Sequence, residues 1–307
     1  MRLLLIVNPA ASSMTPRRRV RIQRELGNHH RLEVAETTRR GHATRLARSA
    51  AREGVDVVVV AGGDGTLNET ADGLAGTQTA LAPLPAGSTN VFARSIGMKN
   101  RIDPALDQVV AAIQAQTFRR IGLGNGNGRH FLFHLGAGFD AEVIEQVERH
   151  SRLKRRFAHP MFAVAAFTTF FRGYDRDRPQ YRVEIDDGQS IGEGFFAIIS
   201  NSAPYAFFGP RPLRVTRSAG LDHKLALTMF RRLEMGVLLP AAISAMVRGR
   251  RIEHQRDIVQ LADVDRLTLI AQHGPFPWQV DGDYLGEVER LEVRYVPDAL
   301  TLVMPKA

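Results

Sequence analysis

The sequence contains no cysteine in 307 residues, which excludes disulfides and thiolate metal sites and agrees with a reducing compartment. It also has no apolar stretch long enough to span a membrane, since the longest charge-free apolar run covers only residues 157–171. The amino-terminal stretch MRLLLIVNPA is short for a secretory signal, and Asn8-Pro9 interrupts it. We therefore expect a cytoplasmic protein.

Negative charge is comparatively scarce, and the net charge of +9 is unevenly placed. Residues 1–60 hold twelve Arg against five Asp or Glu, and residues 148–182 hold nine Lys or Arg against three acids. Such patches suit nucleic acid, nucleotide phosphates or an anionic membrane surface, or are simply solvated. Because no RNA-binding aromatic motif, zinc spacing or basic recognition helix accompanies them, we expect no nucleic-acid partner.

The first 120 residues alternate strands and helices. Strand patterns at 2–7, 31–38, 55–60 and 81–85 are separated by helical apolar spacing. Repeated β-α units of this length predict a doubly wound parallel sheet with helices on both faces. Ligands of such sheets bind beyond the carboxyl ends of the strands, where two glycine-bearing turns fall, at 62–65 and 85–90.

After residue 120 the pattern changes to short strands of a β-rich domain. A glycine- and asparagine-rich turn in 121–139 favours a hairpin, and the spacing of the later strands favours an antiparallel sandwich or mixed sheet. Two helical insertions are predicted, from Ala141 to about Tyr174 and from Leu233 to about Arg248. The later strand patterns lie at 180–186, 194–200, 225–230, 266–271, 276–280 and 291–296.

The stretch VVVVAGGDGTLNE (57–69) predicts a buried strand that ends in a glycine turn, followed at once by a helix. Glycine allows a ligand to approach the backbone closely, and a helix N-terminus favours a phosphate group. Asp64 would repel a phosphate unless a cation lies between them, so the simplest hypothesis is a phosphate site with Mg²⁺. The alternative is that Asp64-Gly65 only makes a tight turn.

Four motifs resemble the diacylglycerol-kinase catalytic-domain family, which includes bacterial lipid kinases and the sphingosine and ceramide kinases. GGDG alone is shared with NAD kinases and phosphofructokinases, but its combination with the second motif is much more specific. The motifs follow the family order over nearly the whole chain: GGDGTLNE (62–69), PAGSTNVFAR (85–94), GAGFDAEV (136–143) and VDGD (280–283).

This resemblance implies an ATP-dependent lipid kinase of phospholipid metabolism that uses Mg²⁺ and phosphorylates a lipid hydroxyl, diacylglycerol-like first and sphingosine-like second. It implies a nucleotide-binding α/β domain (1–120) and a β-sandwich-like lipid-substrate domain (121–296), with the active site in the cleft between them. In the family the last strand returns to the first domain, so residues 297–307 are expected to join it.

The resemblance also assigns roles to individual residues. Asn8 and Thr38 would line the nucleotide pocket, with Gly41 and His42 opening the neighbouring helix. Ser88 stands where the family usually has Thr and keeps the hydroxyl. For the second turn the alternative is a helix N-cap, and both roles are compatible. The residues expected to cradle the phosphates are Gly62, Gly63, Asp64, Gly65, Thr66, Gly87, Ser88, Thr89 and Asn90.

Four acids carry the expected chemistry. Asp281 would act as the base that accepts the proton of the substrate hydroxyl, although Asp-Gly between two apolar runs is also a strong hairpin signal. Asp64, Asp140 and Asp283 would organise the metal. Asp283 departs from the family, which usually reads DGE, and Ala219 stands where some members have an acid, so no second metal is expected.

The expected partners are a lipid substrate and an anionic membrane surface, and a homodimer is left open. The apolar run 157–171, with basic residues at 154–156 and 172, is the segment expected to contact the membrane. The alternative is that it forms a buried core helix. Two rival functions remain: an NAD or sugar-phosphate kinase that shares the GGDG turn, and a catalytically weak binder of nucleotide or lipid.

Overall fold

The computed structural model describes residues 1–149, 177–186, 188–216, 218–247 and 255–305. The chain divides into two compact units. Unit 1 comprises Met1–Leu123 and the carboxyl-terminal stretch from Val296, and unit 2 comprises Gly124–Tyr295.

Unit 1 is a parallel sheet with interleaved helices. The strand order is β2-β1-β3-β4, and the last part of β18 (Arg290–Val303) adds a further parallel strand, with Thr301 opposite Ala80. The elements are β1 (Arg2–Val7), α1 (Pro16–Gly27), β2 (Arg31–Glu36), α2 (His42–Arg52), β3 (Val57–Gly62), α3 (Asp64–Leu74), β4 (Ala80–Pro85), α4 (Val91–Ser95) and α5 (Ile102–Gln114).

The central strands of unit 1 are apolar because both of their faces are covered. All six residues of β3 and of β4 are buried, as are five of the six in β1. Helix α1 begins where sequence chemistry predicts, since the Thr15 hydroxyl accepts from the Arg18 N–H and Pro16 occupies the first turn.

Unit 2 is built from antiparallel strands and two helices. Strand β5 (Phe118–Gly126) leads into it from unit 1. The remaining elements are β6 (Arg129–Phe131), β7 (His134–Gly138), α6 (Phe139–Arg149), β8 (Tyr181–Ile185), β9 (Gln189–Gly194), β10 (Phe196–Ser200), β11 (Ala206–Phe208), β12 (Arg211–Leu213), β13 (Leu225–Phe230), α7 (Met235–Val247), β14 (Ile258–Val264), β15 (Arg266–Ala271), β16 (Phe276–Val280) and β17 (Asp283–Val288).

Two antiparallel sheets enclose the main core of unit 2. One has the order β14-β13-β10-β7-β16-β17, and the other runs β9-β8-β15 to the first part of β18. The core takes side chains from both sheets, among them Tyr181, Leu227, Phe276 and Leu291, which defines a sandwich. A second cluster joins α6 and α7 to the six-stranded sheet through Phe139, Phe196 and Val237 among others.

The predicted fold class is confirmed: an α/β unit with a parallel sheet and a β-sandwich-like unit with helical insertions. Strands β9, β11, β12, β14 and β17 are absent from the sequence-based prediction. Three-residue strands and glycine-containing edge strands such as β9 and β17 lack a clear alternation of apolar side chains.

The first predicted helical insertion is described only as α6, which begins at Phe139. Its continuation, including the apolar run 157–171 and the basic residues 154–156 and 172, lies outside the described residues. Among the helices that are described, none combines the length and hydrophobicity needed to cross a membrane.

Candidate functional site

The two glycine turns of unit 1 are packed directly against each other. Gly62 lies opposite Pro85 in the parallel β3–β4 pair, and the Ala86 N–H donates to the Gly62 carbonyl at 2.9 Å. A Cβ on Gly87 would lie 2.6 Å from the Gly63 Cα and 3.0 Å from the Asn90 Oδ1. The backbones meet so closely that position 87 accepts only glycine, and the two motifs form one structure.

Asp64 connects these two turns. Its carboxylate accepts from the backbone N–H groups of Val91 (3.0 Å) and Phe92 (3.2 Å), so it caps helix α4. Burial raises the pKa of Asp64, and hydrogen bonds from the α4 backbone work in the opposite direction. Asp64 therefore does more than form a tight turn, because it caps a second helix. Its role as a metal ligand stays a prediction.

Glu69, at the end of the GGDGTLNE motif, has the same kind of role one helix away. This buried carboxylate accepts from the N–H groups of Gly41 (2.7 Å) and Ala43 (3.1 Å), at the N-terminus of α2. The Thr44 hydroxyl also donates to the Glu69 carbonyl at 2.9 Å. No role was predicted for Glu69 from the sequence, because Asn68, Thr70 and Asp72 beside it are polar as well and nothing local distinguishes it.

The N-terminus of α3 differs from those of α2 and α4, because no side chain caps it. Asp64 neutralises the start of α4 and Glu69 neutralises the start of α2. Helix α3 instead begins at Gly63, which has no side chain with which to accept from the first N–H groups. Asp64 is also the acid in the first turn of α3, but its carboxylate is directed to the α4 N–H groups. This leaves the start of α3 as the best anion site of these three helices.

Other residues predicted to contact the nucleotide lie around this point. Asn8 follows β1 and donates from Nδ2 to the Thr66 hydroxyl at 3.0 Å, in the first turn of α3. Asn90 has positive φ (52°), and its side chain both accepts from the Gly87 N–H and donates to the Gly87 carbonyl. Asn90 therefore holds the shape of the second turn.

Ser88 and Thr89 lie between these fixed points and are the more accessible part of the second turn, Ser88 being exposed and Thr89 half-buried. Gly65 lies in the first turn of α3. The structure thus brings together Asn8, the 62–66 turn and the 87–90 turn.

Thr38 lies in the loop after β2, next to the end of β1, since the neighbouring Thr37 N–H donates to the Val7 carbonyl at 2.9 Å. Its N–H donates to the His42 Nδ1 at 3.2 Å, and its hydroxyl lies 3.1 Å from the same atom. His42 therefore makes the local helix-end hydrogen bond, and Gly41 begins α2 with φ of 77°. Whether Thr38 contacts a nucleotide stays a prediction.

Arg94 is a cation near the two turns. It closes the motif PAGSTNVFAR (85–94), and no separate role was predicted for it. Burial lowers the pKa of Arg94, and the neighbouring Asp64 carboxylate partly offsets this. The guanidinium also donates to the Thr89 carbonyl at 3.4 Å. A positive charge beside a phosphate turn strengthens the electrostatic case for an anion.

Asp281, the predicted base, lies in unit 2 between β16 and β17. Its carboxylate accepts from the backbone N–H groups of Leu132 (2.8 Å), Phe133 (3.0 Å) and His134 (2.8 Å). Its own N–H donates to the His134 carbonyl, and its φ of 50° is that of a tight turn. The fold thus fixes the orientation of this buried carboxylate. Asp281 makes the hairpin turn that the sequence also indicated, and its side chain is held in place at the same time.

Asp140 is held by side chains. Its carboxylate accepts from the Tyr205 hydroxyl at 2.6 Å and from Gln279 Nε2 at 2.7 Å. A Cβ on Gly136 would lie 1.9 Å from the Asp140 Oδ2 and 2.5 Å from the Gln279 Nε2, so a side chain there would displace this pair. Burial raises the pKa of Asp140, with the two hydrogen bonds opposing, and it also raises the pKa of Tyr205 beside it.

Gln279 links the two acids of unit 2 and was missed from the sequence. While its Nε2 donates to Asp140, its Oε1 accepts from the Gly282 N–H at 2.8 Å, directly after Asp281. The side chain is fully buried. A glutamine inside the apolar strand FPWQV was the signal, because buried amides need partners.

His134 completes this polar group and was also missed. Its ring packs on Tyr205 with centroids 4.4 Å apart, and its buried Nδ1 has no hydrogen-bond partner. Burial lowers the pKa of His134 to about 3, so the imidazole is neutral at physiological pH.

Asp283 begins β17 opposite Val280 and is half-buried. Within the described ranges, no group of three or more His, Asp or Glu side chains is placed to hold a metal ion. Asp64 belongs to unit 1, whereas Asp140 and Asp283 belong to unit 2. The donor chemistry suits Mg²⁺ carried by a nucleotide, which needs only one or two carboxylates, and burial makes Asp140 a group that a cation would stabilise.

The α/β unit with its paired glycine turns and the β-sandwich unit define the architecture of a class of kinases. The diacylglycerol kinase catalytic domain matches residues 2–125, and the YegS C-terminal NAD kinase beta sandwich-like domain matches residues 134–304. The chain belongs to this family of diacylglycerol kinase and YegS-like proteins.

Curated relatives agree with this assignment. A probable lipid kinase YegS-like from Pseudomonas aeruginosa is 34% identical over 170 residues, which cover 55% of this chain and 53% of that protein. The chain therefore matches about half the length of that relative. A diacylglycerol kinase from Staphylococcus aureus is 26% identical over 259 residues, covering 82% of this chain and 76% of that protein.

Solved structures show the same fold. A crystal structure described as a diacylglycerol kinase from Bacillus anthracis covers 99% of this chain and 96% of its own, with a TM-score of 0.76 and 19% identity. Yeast NADH kinase complexed with NADH has a TM-score of 0.56 at 10% identity, covering 100% of this chain and 84% of its own.

Proposed function

We propose that this kinase transfers the γ-phosphate of ATP to the hydroxyl group of a lipid, with a diacylglycerol-like acceptor as the first candidate and a sphingosine-like one as the second. The observation that carries the proposal is the close packing of Gly63 against Gly87 beside the uncapped start of α3. The family assignment and the names of the relatives support a lipid as the acceptor.

In this proposal unit 1 holds the nucleotide. The N–H groups of residues 64–66 at the start of α3 would bind phosphate oxygens, and Arg94 would add positive charge near them. Asn8 and Asn90 would keep the two turns in place through their hydrogen bonds to Thr66 and Gly87. Mg²⁺ would enter with the nucleotide and neutralise charge on the phosphates.

Unit 2 would supply the groups that act on the acceptor hydroxyl. Asp281 would take up its proton, with the orientation of the carboxylate set by the three backbone N–H groups. Asp140 and Asp283 are the candidate metal ligands of this unit. A lipid acceptor and ATP meet at the inner face of the membrane, which is where such an enzyme would work from the cytoplasm.

The direct test is transfer of label from γ-labelled ATP with Mg²⁺ to a panel of acceptors. The panel comprises diacylglycerol, monoacylglycerol, sphingosine, ceramide and undecaprenol in mixed micelles, with NAD as the rival acceptor. A labelled lipid supports the proposal and names the class of acceptor. Label on NAD alone would overturn it in favour of an NAD kinase.

Nucleotide binding is measured in parallel, by calorimetry with a non-hydrolysable ATP analogue. Binding without transfer to any acceptor would instead indicate a protein that binds nucleotide and has lost catalysis. Gly87→Ala serves as the variant that should lose both binding and transfer, because its methyl group collides with Gly63.

A further inference from the structure

Helix α7 has an exposed face that is entirely apolar. Leu233, Val237 and Ala241 face the cluster shared with α6 and the six-stranded sheet. On the opposite side Met235, Leu239 and Ile243 are 46%, 54% and 49% exposed, at a spacing of four residues. The other exposed positions between 235 and 245 are Gly236, Pro240 and Ala242.

A surface helix of a globular protein normally presents polar side chains to water. Seven large hydrophobic side chains are exposed in the described part of the chain, and three of them form this single stripe. Isolated exposed hydrophobics are common, but a contiguous exposed patch marks an interaction surface.

Arginines lie near both ends of α7. The hairpin β11–β12 packs beside α7, with the Arg214 N–H donating to the Ala245 carbonyl at 3.0 Å, and the Arg211 and Arg214 side chains are exposed. Arg231 and Arg232 precede the helix and are also exposed.

Two acids balance part of this charge. Glu234 and Asp257 lie 3.7 Å and 3.4 Å from the Arg232 guanidinium. The Arg231 guanidinium donates to the Ile191 carbonyl of β9 and Arg232 is paired with these acids, so Arg211 and Arg214 are the arginines that supply positive charge beside the apolar face. This combination is complementary to an anionic lipid surface.

The same surface is connected to the candidate site within unit 2. Tyr205, whose hydroxyl donates to Asp140, immediately precedes β11, and its N–H donates to the Leu213 carbonyl across the hairpin. Its ring packs against the cluster that contains the inner face of α7. Tyr205 thus joins the inner face of α7 to Asp140 within unit 2.

We propose that the exposed face of α7, together with Arg211 and Arg214, docks on the surface of an anionic lipid bilayer. The inference rests on the proposed lipid kinase function for its biological purpose, since a membrane-bound acceptor must be reached at the bilayer. Met235, Leu239 and Ile243 enter the boundary between head groups and acyl chains, and the arginines contact the head groups.

The test measures binding of the full chain to vesicles by co-sedimentation. Vesicles of phosphatidylcholine with phosphatidylglycerol are compared with vesicles of phosphatidylcholine alone. We expect the wild type to prefer the anionic vesicles, and Leu239→Gln/Ile243→Gln to weaken partitioning about 30-fold through loss of two apolar contacts. Arg211→Glu/Arg214→Glu should remove the preference for anionic lipid.

Val20→Gln is the matched control, because Val20 on α1 is 64% exposed and lies outside this surface. It should bind vesicles like the wild type. Thermal unfolding of each variant verifies the fold, and exposed positions should leave Tm unchanged. Failure of the wild type to bind vesicles, or equal binding by the Leu239/Ile243 variant, would overturn the proposal.

A water-soluble short-chain diacylglycerol separates this proposal from the proposed function. The Leu239/Ile243 variant should phosphorylate it at the wild-type rate while losing activity on vesicle-embedded substrate. Vesicle binding through α7 without transfer to any lipid would leave the docking surface standing and refute the lipid kinase. Sedimentation velocity tests the alternative that α7 contacts a second copy of the chain. If the wild type is a dimer that dissociates in this variant while vesicle binding is unchanged, the face is a dimer interface and the docking proposal is wrong.

Discussion

The two units hold their acids in different ways. In unit 1, Asp64 and Glu69 each accept two backbone N–H groups at the start of a helix. In unit 2, Asp281 accepts three backbone N–H groups of a loop, and Asp140 depends on the side chains of Tyr205 and Gln279.

This difference separates acids that shape a site from acids that can change partners. A carboxylate bound to helix N–H groups sets the backbone around it and removes that helix start as an anion site. A carboxylate bound to side chains has partners that can rotate away. The acids of unit 1 and Asp281 of unit 2 are therefore fixed by backbone groups, whereas the network around Asp140 is one that a ligand could rearrange.

We expect the largest loss of stability from a substitution of Asp281, the acid with three backbone donors. In Asp281→Asn, an amide N–H₂ replaces one acceptor oxygen against backbone N–H groups, so the free energy of unfolding should fall by about 3 kcal/mol. The exposed Asp265→Asn, which only breaks a surface pair with Lys224, should change it by less than about 0.5 kcal/mol. Urea unfolding measures both variants.

Asp64→Asn provides the comparison with unit 1. It loses a charged acceptor for two N–H groups, so we expect a smaller decrease of about 2 kcal/mol. If Asp64→Asn lowered the free energy of unfolding more than Asp281→Asn, the number of backbone donors would not determine how much each acid stabilises the fold.

His134 gives unit 2 a pH dependence. Because burial lowers its pKa from 6.5 to about 3, the unfolded chain binds a proton in this interval that the folded chain does not. Stability from this group is complete above pH 6.5 and is lost as the pH falls, by about 3 kcal/mol at pH 4.5.

His134→Phe keeps an aromatic ring against Tyr205 and removes the titrating group. Its free energy of unfolding should therefore fall less than that of the wild type between pH 6.5 and 4.5. Asp64 and Asp140 have raised pKa values, which act with the opposite sign, but both are present in both proteins and cancel in the difference. Parallel pH profiles for the two proteins would refute a buried neutral His134.

The paired glycines of unit 1 give an asymmetric prediction. A Cβ on Gly87 meets the Gly63 backbone at 2.6 Å, whereas a Cβ on Gly63 lies at an ordinary 3.4 Å from Gly87. Gly87→Ala should destabilise by about 2 kcal/mol and weaken nucleotide binding. Gly63→Ala should cost less than about 0.5 kcal/mol, and equal effects would show that the turns do not meet as described.

Glu69→Gln should have a smaller effect than Gly87→Ala, about 1 kcal/mol, because a neutral acceptor replaces the carboxylate at the start of α2. The exposed Glu36→Gln is its control, since Glu36 makes only a surface ion pair with Arg19. Thermal unfolding compares the pair. A larger loss for Glu36→Gln would contradict the capping role of Glu69.

Most of the α/β unit was predictable because its signals are local. Four buried valines, the glycines after them and the threonine cap of α1 act over a few residues, so strand ends, turns and helix starts follow from the printed order. The two glycine turns were found for the same reason. The edge strands of unit 2 were missed because half-exposed, glycine-containing strands have weak alternation.

The sequence by itself determined the fold class, the two glycine turns and the family resemblance, since each depends on residue types at short spacing. Only the tertiary structure decided what the acids contact. Asp64 meets residues 91 and 92, Asp140 meets Tyr205 and Gln279, and Asp281 meets residues 132–134. Such partners lie 27 to 149 positions apart, and packing of separate elements, which no local pattern encodes, brings them together.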